Sequence, residues 1–138
     1  EHLLDVAGVR VVCNYIEDIY DIAEMLQKQS DITTVRMRDY IAHPKENGYR
    51  SLHLIVRVPV FLSDRVENVP VEVQIRTIAM DFWATLEHEL RYKAEKEVSP
   101  EVREQLKACA EKSSALDMEM QAIRSHSIQH GKEAKKKM

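Results

Sequence analysis

Arg10, Arg38, His53, Glu72, Gln74 and Arg76 are the side chains best suited to phosphate and metal chemistry, and they fall at alternate positions in four β-prone runs. Residues two apart on a strand share a face. In the last run Val71, Val73 and Ile75 point one way, and Glu72, Gln74 and Arg76 the other. The same split sets His53 and Arg57 against Leu52, Leu54 and Val56, Arg36 and Arg38 against Val35 and Met37, and Arg10 against Val9 and Val11. If every apolar row meets the helices, the polar rows assemble one sheet face. A basic floor containing a carboxylate suits a polyphosphate with a divalent metal. An antiparallel sheet that wets its outer face gives the same pattern, and on patterning alone that is the simpler account.

Three further features bear on the choice. The segment His43-Pro44-Lys45-Glu46-Asn47-Gly48-Tyr49-Arg50-Ser51 places a turn, cations and an aromatic ring directly before a strand. Asn-Gly is an ordinary hairpin turn and Tyr49 an ordinary strand residue. In a nucleotide site, Tyr49 is instead a platform for a base, with Lys45 and His53 near its phosphates. Asp5, just upstream of the first strand, is placed by sequence to join Glu72 around Mg²⁺.

These groups need a scaffold. Val9, Val11 and Cys13 begin a strand, and Ile16, Ile19, Ile22, Ala23 and Leu26 recur at helical spacing through Gln29. Residues 32–41 are β-prone, and Leu52, Leu54, Val56 and Val58 mark a strand that Pro59 and the polar stretch 63–69 are expected to break. Val71 to Arg76 forms the last strand. A helix follows from Ile78 to Lys93 with a stripe of Ala79, Phe82, Trp83, Leu86 and Leu90. A second helix has Ser99 as N-cap, Pro100 at its first position and Glu101 in its first turn. Val102, Leu106, Cys109, Leu116, Met120 and Ile123, with Ser113 in the gap, form a heptad seam that fits packing on its own domain as well as a subunit contact. The order β-α-β-β-β-α-α predicts an α/β (α+β) fold, a mixed sheet with helices packed on one face.

Composition narrows the function classes. The chain has 138 residues with 20 Lys and Arg against 23 Asp and Glu, so no overall basic field exists to gather nucleic acid. One domain is expected. No apolar run reaches the roughly 18 residues of a membrane span. The two cysteines, Cys13 and Cys109, form no C-x-x-C pair, and a reducing cytoplasm is the expected location. With only three glycines there is no Walker loop or G-x-G-x-x-G turn, so phosphates must be held by side chains. His88-Glu89 begins like a zinc-protease motif, but Tyr92 stands where the second His is required. The chain opens on Glu1 without Met and is read as a fragment.

Asp5-Val6-Ala7-Gly8-Val9-Arg10-Val11, Tyr40-Ile41-Ala42 through Lys45-Glu46-Asn47-Gly48-Tyr49-Arg50-Ser51-Leu52-His53, and Val71-Glu72-Val73-Gln74-Ile75-Arg76-Thr77 occur in order. Met80, Phe82-Trp83-Ala84, Glu87-His88 and Tyr92-Lys93 follow. The set resembles the synthetase domain of the RelA/SpoT family, and the length and ending resemble its small alarmone synthetases. The resemblance implies a nucleotidyltransferase-like fold and pyrophosphate transfer from ATP to the 3′-hydroxyl of GDP or GTP, giving (p)ppGpp. By position, Asp5 and Glu72 would hold Mg²⁺, and Glu72 would help deprotonate the attacking hydroxyl. Tyr49 would stack on guanine. Lys45, Asn47, His53, Gln74 and Arg76 would position the acceptor nucleotide, with Arg38 on the charged floor and Arg10 against adenine.

The resemblance also implies a homo-oligomer, a tetramer by analogy. Residues 1–98 would be the synthetase core without its upstream donor-binding segment, and 99–138 a helix and basic tail serving assembly within the same domain. The long family members' His-Asp dipeptide is absent, which points to synthesis without hydrolysis. Two rival readings stand beside this one: a tRNA 3′-end pyrophosphokinase of the same family, and a non-catalytic nucleotide- or RNA-binding module. An RNA contact would fall to the Lys132, Lys135, Lys136, Lys137 tail.

Overall fold

The computed structural model describes residues 7–94 and 98–137. Its elements are β1 (Ala7–Cys13), α1 (Ile16–Gln27), β2 (Thr33–Asp39), β3 (Leu52–Phe61), β4 (Val66–Thr77), α2 (Ile78–Lys93) and α3 (Pro100–Lys136). The sheet order is β1-β4-β3-β2, with β1 parallel to β4 and the other two pairs antiparallel. The sheet is therefore mixed, and α1 carries the chain from one edge strand to the other. No described helix is long and apolar enough to cross a membrane.

Alternation along the central strands decides which face is dry. Leu52, Leu54, Val56, Val73 and Ile75 are buried against Ile19 and Ala23 of α1, and Met80 at the start of α2 completes this core. Leu54, Ile75 and Ile19 are wholly inaccessible, so each contributes about 1.5–3 kcal/mol of hydrophobic stabilisation. Because register fixes the face, the same pairing puts His53 beside Gln74, Arg38 beside His53 and Arg10 beside Gln74 on the opposite side.

Pro59 does not end its strand. β3 continues to Phe61 and pairs through Arg57↔Pro70 and Pro59↔Asn68 into a long hairpin. The described part of β1 meets β4 only from Val71, and β2 meets β3 only as far as Arg57. Pro59 thus sits where the described hairpin is two-stranded, and Pro70 lies just before Val71, where the described part of β1 begins to pair; a missing ladder donor costs least at such positions.

The helical stripes also differ from expectation. On α2 the buried residues are Met80, Trp83, Ala84 and Glu87, while Phe82, Leu86 and Leu90 are exposed. On α3 the heptad residues Cys109, Leu116, Met120 and Ile123 face outward. Its inward row is Leu106, Ala110, Ser113, Asp117, Gln121 and Arg124. Trp83, Ala84 and Ala110 form a second small core against Tyr49 and Leu106. Farther along, Gln121 and Arg124 bond to Glu17 and Asp18 of α1.

Candidate active site

The segment between β2 and β3 is a shaped loop rather than a simple hairpin turn. Gly48 has φ +101°, its N–H donates to Lys45 O at 2.8 Å, and Asn47 Oδ1 accepts from Tyr49 N at 3.0 Å. A Cβ on Gly48 would lie 2.6 Å from Ala110 Cβ, so both the positive φ and the approach of α3 require glycine. The loop presents Tyr49 half-buried. Lys45 Nζ lies 5.2 Å and Arg76 Cζ 5.4 Å from the Tyr49 ring centre, and Tyr40 and His53 meet the ring edge-to-face.

A directional hydrogen-bond chain starts at Arg76. A guanidinium only donates, so Tyr49 Oη accepts from Arg76 Nη2 at 3.0 Å and its own proton is available to His53 Nε2, 2.8 Å away. That direction requires a neutral imidazole. Burial is the main cause holding the His53 pKa below its ordinary value, aided by Lys45 and Arg76 and opposed by Glu72. Arg76 Nη2 also donates to Gln74 Oε1 at 2.6 Å, which turns the amide so that Nε2 donates to Glu72 Oε1 at 2.7 Å. Glu72, Gln74 and Arg76, spaced two apart on β4, are thereby linked along one face.

The opening residues of α2 close one end. Asp81 Oδ1 accepts from both Arg76 Nη1 and Arg10 Nη1 at 3.1 Å. It thus joins the edge strand to the central one and balances two cations. Arg76 is 9% exposed and its Nε has no hydrogen-bond partner among the described residues.

Two hollows flank this chain. The larger, about 720 Å³, is lined by Arg10, Lys45, Asn47, Tyr49, His53, Gln74 and Arg76 on the sheet and loop side. Thr85, Glu87, His88 and Arg91 of α2 and Arg103 of α3 line the other side. Such a volume accommodates a nucleotide. The smaller, about 260 Å³, is lined by Arg36, Arg38, Tyr40, His53, Ile55 and Glu72. His53 borders both. The structure therefore gathers Tyr49, Lys45, Asn47, His53, Gln74, Arg76 and Arg10 in one cavity, and sets Glu72 and Arg38 in the adjoining one.

Sequence reasoning gave no role to Glu87, Arg91 or Arg103. Glu87 is 8% exposed yet borders the large cavity, and Arg91 Nε bonds its Oε2 at 3.1 Å. The available signals were its helical spacing from Met80, Trp83 and Ala84 and its place in the Glu87-His88 pair among the family motifs. Of the two carboxylates assigned to Mg²⁺, Asp5 lies outside the described residues. Glu72 offers the hard oxygen donor this ion takes, and its Oε2 has no partner among the described residues. Gly8 of β1 stands opposite it, three residues after Asp5. No three His, Cys, Asp or Glu among the described residues are grouped to hold a metal.

A mixed sheet with a cationic, carboxylate-bearing face beside an aromatic ring is chemistry suited to a nucleotide phosphate, and the chain belongs to the RelA/SpoT family. The model of the region found in RelA / SpoT proteins matches residues 1–97. Among curated proteins the chain is similar to two GTP pyrophosphokinases of Bacillus subtilis. Identity to YwaC is 50% and to YjbM 46%, each over 90% of this chain and 59% of the relative. The chain thus spans about three fifths of their length. Small alarmone synthetase 2 of B. subtilis superposes with a TM-score of 0.87 at 49% identity, covering 91% of this chain and 68% of the other. Small alarmone synthetase 1 of the same organism, bound to its product pppGpp, gives 0.85 at 45% identity over 91% and 65%.

Proposed function

We propose that this chain carries the catalytic region of a (p)ppGpp synthetase, which transfers pyrophosphate from ATP to the 3′-hydroxyl of GDP or GTP. The observation that carries the reading is the chain of bonds from Tyr49 through Arg76 and Gln74 to Glu72. It ties a base platform in a cavity of nucleotide size to a carboxylate in the adjoining hollow. Similarity to the two GTP pyrophosphokinases supports it.

In this reading guanine lies on Tyr49, with Lys45 and the free Asn47 amide donors directed at the acceptor nucleotide. Glu87 is the group suited to the guanine edge, because a carboxylate accepts from N1–H and the 2-amino group but repels the N1 lone pair of adenine. Arg76, held by Asp81, Tyr49 and Gln74, presents a fixed positive charge to the acceptor phosphates, and Arg38 extends that charge beyond His53. Arg10 faces the donor side. Transfer of this kind depends on in-line positioning and charge stabilisation more than on covalent help. Glu72 accepts the proton of the attacking hydroxyl, since it is the carboxylate where the bonded row ends. Mg²⁺, held by Glu72 and Asp5, would neutralise charge on the donor phosphates.

The outward row Cys109, Leu116, Met120 and Ile123 of α3 suits a second copy of the chain, and a homotetramer is the assembly proposed. Incubating the intact protein with Mg²⁺, ATP and either GDP, GTP or tRNA, then separating products, tests the activity. Guanosine tetra- or pentaphosphate with AMP is expected. Labelled tRNA without guanosine polyphosphates would replace this reading with the tRNA 3′-end one.

A further inference from the structure

Behind the cavity, α3 grips the two chain segments that carry Tyr49 and Arg76. Arg50 directly follows Tyr49, and its side chain, 6% exposed, runs away from the cavity into α3. Its Nη2 donates to Ala110 O at 3.3 Å and to Ser113 Oγ at 3.0 Å, while Nη1 lies 3.9 Å from Asp117 Oδ2. Thr77 directly follows Arg76, and its Oγ1 donates to the same Asp117 oxygen at 2.8 Å. Thr77 Oγ1 also accepts from Met80 N, capping α2. One buried carboxylate of α3 therefore meets the successor of each residue in the Tyr49–Arg76 hydrogen bond.

Resting on the acceptor-site reading above, we propose that Asp117, acting through Arg50 and Thr77, is a positioning residue for the acceptor nucleotide. It touches no ligand. It sets the loop and the end of β4 at the separation that lets Arg76 reach Tyr49. A buried ion pair adds little net stability over an apolar pair of equal volume; here it balances charge, and direction comes from the bonds that Arg50 makes to Ala110 O and Ser113 Oγ and that Thr77 makes to Asp117. The neighbouring contacts share the task. Ala110 leaves room only for Gly48, and Trp83 Nε1 donates to Leu106 O at 2.8 Å, beside the same loop.

The test uses the intact protein with Asp117→Asn, which keeps volume and an acceptor for Thr77 but removes the charge, and with the milder Ser113→Ala. GDP affinity by calorimetry, the KM for ATP, melting temperature and the emission of Trp83, the single tryptophan, are read for each. Asp117→Asn is expected to weaken GDP binding roughly 2- to 30-fold, the range over which a residue outside the ligand shell shifts a binding equilibrium. The KM for ATP stays within about twofold while Trp83 emission shifts, and Ser113→Ala moves GDP affinity the same way by less. Unchanged GDP affinity in both variants overturns the proposal. So does a fall in GDP and ATP affinities together, in proportion to the folded fraction. Failure of the unsubstituted protein to bind GDP overturns the acceptor-site reading itself, and this proposal with it.

Discussion

Replacing Tyr49 by Phe and by Ala separates the two jobs its side chain holds. The ring is half-buried, with Lys45 and Arg76 each a little over 5 Å from its centre, and Phe keeps that arrangement. The hydroxyl makes two hydrogen bonds, one from Arg76 Nη2 and one to His53 Nε2. Arg76 Nη2 retains its 2.6 Å bond to Gln74 in the Phe variant, so the loss is about 0.5–1.5 kcal/mol of folding stability per bond rather than an unpaired charge. Ala removes the ring as well, and a lost base stack costs about 1–3 kcal/mol of binding. Calorimetric titration with GDP is therefore expected to show affinity lowered only severalfold for Tyr49→Phe, through the lost bond to Arg76, and roughly 5- to 150-fold for Tyr49→Ala. Urea melts should show Phe destabilised through the hydroxyl alone. Equal affinities for Phe and Ala would mean that the hydroxyl, not the ring, meets the nucleotide, and unchanged affinity for Ala would remove the platform.

Glu72→Gln keeps an acceptor for Gln74 Nε2 and loses the proton-accepting charge. Turnover measured with saturating ATP and GDP should fall on the order of 10²–10⁴-fold, while GDP affinity changes only severalfold; near-normal turnover would acquit Glu72 as the base. Glu87→Gln should lower the preference for GDP over ADP in competition binding, because an amide both donates and accepts; an unaltered preference would place the base edge elsewhere. Burial lowers the His53 pKa in the folded protein, so the unfolded chain takes up the proton first as pH falls. His53 then contributes stability that is complete above about 6.5 and is lost as pH drops from there to its folded value. His53→Gln should flatten the dependence of unfolding free energy on pH in that window, and an unchanged slope in denaturant melts would assign it to other groups. Leu54→Ala, at a wholly buried position, should cost about 2–5 kcal/mol, read as an earlier urea midpoint.

Much of the fold was legible because a sheet writes its register into the sequence with period two. Glu72, Gln74 and Arg76 alternate with Val73 and Ile75, and no other strand face satisfies that row. Where the hairpin continues through Pro59, the local rule gave way because no third described strand flanks that stretch. The helices were harder. On α2 two apolar stripes lie side by side, and periodicity cannot rank Phe82, Leu86 and Leu90 against Met80, Trp83 and Ala84. Packing against Ala110 and the bond from Trp83 to Leu106 O decide it. On α3 the inward row contains Ser113, Asp117, Gln121 and Arg124, side chains that a search for apolar spacing discards. Glu87 was hidden for the same reason, since a helical glutamate ordinarily reads as solvated.

The charge balance of the site explains a further polar side chain, Asp81. Arg10, Lys45 and Arg76 converge on one cavity, and without a nucleotide their repulsion must be offset from within. Asp81 offsets two of them at once through a single oxygen. Its two partners differ in freedom: Arg76 is 9% exposed and tied to Tyr49 and Gln74 as well, whereas Arg10 is 54% exposed with Asp81 as its partner. A phosphate entering the cavity therefore competes with Asp81 most easily for Arg10, while Arg76 keeps its place. On the proposed reading the acceptor side is preorganised by buried bonds, and the donor side is the one expected to reorient when a nucleotide arrives. Asp81→Asn should accordingly change ATP binding more than GDP binding in parallel titrations, and a larger change for GDP would reverse this assignment.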